Sequence, residues 1–86
     1  MIVVVGLSHQ TAPLEVREAL AFPRERMGEA LERLREESGL AEAMILSTCN
    51  RVEIYGRAPE SVTEPVAEFL ARFHDRRLDE LESHLY

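Results

Sequence analysis

Two short strand-like runs, Ala43-Met44-Ile45-Leu46 and Val52-Glu53-Ile54-Tyr55, stand mid-chain with only Ser47–Arg51 between them. So short a gap makes them a hairpin, around which the rest of the chain has to be arranged. The first run reads as a buried strand, and the second alternates as a half-exposed strand does. Cys49 and Asn50 then fill the tight connection, with Asn able to take the positive φ that such turns often need. A side chain there is presented to solvent or to a ligand. The chain's only cysteine occupies that point.

The flanking segments supply the remaining elements. Ile2-Val3-Val4-Val5 is a β-branched run of the kind found in strands that are central or covered on both faces, and it continues to about Ser8. Thr11-Ala12-Pro13 opens a short helix through about Leu20, since Pro13 suits a first turn. Phe22-Pro23 breaks it. From Arg24 to Ser38, Met27, Ala30, Leu31 and Leu34 fall at helical spacing among charged residues, and Gly39 is a natural terminator. Ser61 and Glu64 suggest a capping pair for a helix whose Val66, Phe69, Leu70 and Phe73 form one apolar stripe. After the polar connector Asp75–Arg77, Leu78 and Leu81 carry one more helical turn. Leu85-Tyr86 resembles the first residues of a strand. This order predicts an α+β, ferredoxin-like βαββαβ sandwich, its antiparallel sheet backed by helices on one face and its last strand truncated.

Eighty-six residues make one domain, 1–86, and a chain of this size buries only about 60–65% of its unfolded surface, so one modest core is all it builds. The net charge of −6 argues against indiscriminate nucleic-acid binding and leaves any RNA contact to local arginines such as Arg17 and Arg51. No apolar stretch approaches the roughly 20 residues of a membrane span, and no basic leader precedes the first strand, so the expectation is a cytoplasmic protein without membrane contact. No metal-ligand cluster is legible. Gly6 alone is no nucleotide fingerprint. The charged face of the 24–38 helix, with Glu29 and Arg33 at favourable spacing, reads as solvated surface.

Two segments, GLSHQTAPLEVRE (6–18) and ILSTCNRVEIYG (45–56), closely resemble the signatures of the N-terminal catalytic domain of the glutamyl-tRNA reductases. The resemblance implies that Cys49 is a covalent nucleophile. It would attack the aminoacyl ester of glutamyl-tRNA and hold a thioester that NADPH, bound by a domain absent from this chain, reduces to glutamate-1-semialdehyde in the first step of tetrapyrrole (porphyrin, haem) biosynthesis. It also implies a glutamate pocket formed by Thr48, Cys49, Asn50 and Arg51, with no metal. A homodimer of the full-length enzyme and a glutamate-1-semialdehyde aminotransferase are the further partners implied. The residue types suit that chemistry. A thiolate is a good nucleophile and leaving group, and a cation beside it favours the reactive form. Arginine can pair with a carboxylate through two parallel hydrogen bonds.

Blander readings stand beside these. Cys49 could be a small core residue, Thr48 the end of a strand and Arg51 a hairpin-edge cation. Ser47 reads as structural. His9 either lines the same pocket or orders the loop after it, Arg17 and Glu18 read equally as an ion pair, and His74 reads as a solvated helix-end residue. His84 is given no catalytic role. The alternative function is a stand-alone binding or interaction module without turnover; the fragment alone is not expected to reduce a substrate.

Overall fold

In the computed structural model, which describes residues 1–86, the hairpin is the central organiser. The strand β1 (Ile2–Ser8) leads through α1 (Leu14–Ala19), a 3-10 turn at Arg24–Arg26 and α2 (Met27–Ser38) to β2 (Glu42–Ser47) and β3 (Arg51–Arg57). The chain then forms α3 (Thr63–Phe73), the one-turn α4 (Leu78–Leu81) and a second 3-10 turn at Glu82–His84. The sheet is three-stranded and antiparallel in the order β1-β3-β2, so β3 is central. Ser8 faces Arg51 across one pair and Ser47 faces Val52 across the other. This register brings the loop after β1 alongside the β2–β3 turn.

The α+β class agrees with the βαββαβ expectation, with three strands in the sheet and no fourth strand beyond one residue paired to β1. Gly6 and Tyr86 exchange both main-chain hydrogen bonds, at 3.0 and 2.8 Å, the pattern of an antiparallel ladder on the free edge of β1.

One face of the sheet carries the core. Val3, Val5 and Leu7 of β1 and Val52 and Ile54 of β3 are buried against Ala30 and Leu34 of α2 and Val66, Phe69, Leu70 and Phe73 of α3. Each fully buried large side chain contributes about 1.5–3 kcal/mol by leaving water. No helix covers the opposite face. Ile2, Val4 and Met44 are exposed there, so the apolar runs of β1 and β2 do not signal coverage on both sides. The helices cover only one face, and β2 is an edge strand with Glu42 and Met44 exposed and its other residues half-buried.

Two local expectations also change. The helix α3 begins at Thr63 after Val62, with no side-chain cap, so Ser61 and Glu64 form no capping box; Glu64 lies in the first turn, where its charge suits the helix dipole. His74 is no solvated terminus. Its Nδ1 lies 2.8 Å from the Leu70 carbonyl and its Nε2 3.0 Å from the Ala21 carbonyl, with the ring edge-on to Phe22 and Phe73. It bridges the end of α3 to the segment after α1. Gly39 terminates α2 at φ 81°, as expected.

Candidate functional site

The β2–β3 turn is held by its own polar groups rather than by packing. The Thr48 N–H donates to the Arg51 carbonyl at 2.8 Å, and the Thr48 hydroxyl accepts the N–H groups of Asn50 and Arg51, each at 3.2 Å. That hydroxyl satisfies donors which a bare two-residue turn would leave open. No left-handed residue is therefore needed: the one non-glycine with positive φ is Asp75, so Asn50 does not adopt the conformation expected of it.

Two further bonds tie the turn to the first loop. The His9 N–H donates to the Asn50 carbonyl at 2.8 Å, and Arg17 Nη1 donates to the Cys49 carbonyl at 2.6 Å. The Arg17 Nε donates to the Ala12 carbonyl at 3.2 Å, so one guanidinium bridges two loops. Arg17 makes no ion pair with Glu18, contrary to the salt-bridge reading, because its donors are directed at carbonyls. Cys49 itself is exposed. The buried small-hydrophobe reading is thereby excluded, and the thiol sits on a turn fixed from both sides.

Beside the turn lies a polar cleft of about 390 Å³ lined by Ser8, His9, Gln10, Thr11, Arg51 and Tyr86. Its floor is rigid. The Ser8 N–H is bonded to the Thr11 hydroxyl at 2.9 Å, and His84 Nδ1 lies 3.1 Å from the Thr11 carbonyl. Arg51 is the one charged group on its wall, with a half-exposed side chain whose Nη1 is 3.6 Å from Glu53 Oε1. A fixed cation in a polar hollow suits an anionic substrate group.

Of the expected site residues, Thr48, Cys49 and Asn50 form the turn and Arg51 opens into the adjoining cleft. His9 joins them through its backbone, and its exposed ring belongs to the cleft wall. Ser47 is structural as read, its hydroxyl accepting the Phe22 N–H at 3.0 Å. No group of three or more His, Cys, Asp or Glu side chains is placed to hold a metal.

Sequence reasoning missed Glu53. It is the one charged residue in the buried set, its Oε1 accepting the Tyr55 hydroxyl at 2.8 Å and its Oε2 accepting the Tyr86 hydroxyl. The Tyr86 bond, then the Tyr55 bond and the Arg51 charge, hold its carboxyl below the ordinary range against the opposing effect of burial. Burial and the Glu53 carboxylate push the Tyr86 phenol up to about 12. The available signal was a carboxylate in an alternating strand, opposite no side chain at Gly6.

Compared with known protein families, residues 5–86 match the glutamyl-tRNAGlu reductase N-terminal domain. The chain belongs to that family. Glutamyl-tRNA reductases from Marinobacter nauticus and from a Synechococcus species are 47% and 49% identical to it, in each case over 99% of this chain and 20% of the relative. The structure of the glutamyl-tRNA reductase from Methanopyrus kandleri superposes with a TM-score of 0.57 at 31% identity, over 86% of this chain and 16% of that one. The chain thus spans about a fifth of the length of the curated reductases it matches. Within this reductase domain, the clamped cysteine turn and the arginine-bearing cleft are adjacent.

Proposed function

We propose that these 86 residues are the glutamyl-recognising, acyl-accepting domain of a glutamyl-tRNA reductase. Cys49 accepts the glutamyl group and Arg51 reads its side-chain carboxylate. The observation that carries this reading is the pairing of an exposed thiol, on a turn tied by Arg17, Thr48 and His9, with a neighbouring cleft whose only charge is Arg51.

In the acyl transfer, the Cys49 thiolate attacks the ester carbonyl carbon. The bond from that carbon to the ribose oxygen breaks, the ribose oxygen leaves and takes a proton from solvent, and a thioester remains on Cys49. Arg51 fixes the far carboxylate and so sets the distance from anchor to reacting carbon, which favours glutamate over its uncharged amide. The roles of Thr48 and Asn50 are to shape the turn that presents the sulfur and to close the pocket beside it.

The further reduction to glutamate-1-semialdehyde, which feeds tetrapyrrole synthesis, draws its hydride from NADPH. These residues do not fit that nucleotide. Gly6 is packed on Glu53 and the Val52 carbonyl, each 2.7 Å from where a Cβ would stand, and so offers no open backbone to a pyrophosphate. Nucleotide binding, dimer formation and transfer of the aldehyde to an aminotransferase are assigned to the rest of a longer cytoplasmic enzyme.

Changing Cys49→Ser in a full-length reductase carrying this domain tests the reading. The expected result is loss of semialdehyde formation and of the alkali-labile glutamyl adduct on the protein. Parent-level turnover in that variant would overturn it.

A further inference from the structure

A carboxylate buried on the central strand is costly unless its lone pairs are satisfied. Glu53 meets that condition with the Tyr55 hydroxyl on one oxygen and the Tyr86 hydroxyl on the other, while the first oxygen also faces Arg51 Nη1 at 3.6 Å. Room for the side chain comes from its cross-strand partner. Gly6 stands opposite, and a Cβ there would come within 2.7 Å of the Glu53 Cγ. The same glycine carries the main-chain pair that fixes Tyr86. A glycine, a carboxylate and two phenols drawn from three segments thus converge behind one arginine.

Arg51 needs such a backing. Its side chain is 47% exposed, against 7% for Glu53, and a free arginine gives up rotamer entropy when a ligand immobilises it. We propose that Glu53, braced by Tyr55 and Tyr86, is a positioning residue that holds the Arg51 guanidinium toward the Ser8–Thr11 cleft and sets the preference for a carboxylate-bearing acyl group. This rests on the assignment of Arg51 as the carboxylate reader. Restraining the guanidinium through one edge leaves its remaining N–H donors for the substrate, and this lowers the ordering cost of binding.

The test uses a full-length reductase carrying this domain, with the same tRNA charged with glutamate or with glutamine. Glu53→Gln keeps the shape and removes the charge. Loss of one half-exposed charged contact raises KM for glutamyl-tRNA about fivefold, leaves kcat within about twofold, and lowers the glutamate-to-glutamine preference by the KM factor. Tyr86→Phe, the milder variant, moves the preference the same way by less. Combined with Arg51→Ala, Glu53→Gln adds nothing, and with Arg51 in place neither Glu53→Gln nor Tyr86→Phe changes the rate of Cys49 alkylation by iodoacetamide.

A Glu53→Gln variant that weakens both charged tRNAs equally, or that lowers the preference further in the Arg51→Ala background, would overturn the positioning role. Failure of the underlying reading has a different signature: Arg51→Ala itself then leaves the glutamate preference intact.

Discussion

The aromatic cluster and the cysteine turn stand at opposite extremes of how this domain holds a shape. Phe22, Phe69 and Phe73 are buried with ring centroids 5.2–6.4 Å apart, and the Arg26 and Arg33 guanidinium groups lie over the outer Phe73 ring at 4.3 and 5.1 Å. Thr48, Cys49 and Asn50 are exposed and depend on hydrogen bonds to one hydroxyl, one guanidinium and one amide. Apolar packing has no direction and tolerates rearrangement, whereas hydrogen bonds fix atoms in place at small net gain. The first region therefore sets how stable the domain is, and the second sets what its sulfur faces.

The sharpest way to break that division is through the core. Phe69→Ala is expected to cost about 3–5 kcal/mol in urea denaturation while leaving iodoacetamide reactivity of the folded fraction unchanged; a large change in thiol reactivity would join the two regions. Thr48→Val should do the reverse. It removes the acceptor for two N–H groups, costs about 1 kcal/mol, and speeds hydrogen exchange at the Asn50 and Arg51 amides more than anywhere in α3.

Smaller effects follow from titration. The Tyr86 phenol keeps its proton to about pH 12 in the folded chain, against an ordinary value of 10.0. Its contribution to stability is therefore complete below pH 10.0 and disappears as pH rises to about 12. Tyr86→Phe should flatten the alkaline arm of the melting profile over that window. The depressed Glu53 carboxyl acts on the acid side, its contribution present above the ordinary carboxylate range and lost as pH falls through its folded value. At the bottom of the scale, Arg57→Ala breaks an exposed 3.1 Å pair with Glu42 and is expected to leave the melting temperature within error.

Much of this was legible from residue patterns. The stripe Val66, Phe69, Leu70 and Phe73 named the buried face of α3, Gly39 marked the end of α2, and the short gap between two strand runs located the turn. Burial of the sheet was harder. An apolar run such as Ile2–Val5 reports what a strand can tolerate on both sides, while the number of helices available to cover it decides what is buried. The site's supports were the least visible. Arg17 bonds a carbonyl 32 residues away, and carbonyls have no sequence signature; Glu53 owes its place to a cross-strand glycine. His74 was misread for the same reason, since both of its partners are main-chain oxygens.

The Arg17 bond to Cys49 also orders events in time. A hairpin such as β2–β3 forms within microseconds from neighbouring residues, whereas the Arg17 bond to the Cys49 carbonyl has to close a span of 32 residues. Long-range closure comes late in folding because its entropy cost precedes its reward. The thiol's clamped geometry thus forms later than the hairpin that carries it, and a chain with the hairpin alone displays a cysteine that has not yet acquired its setting.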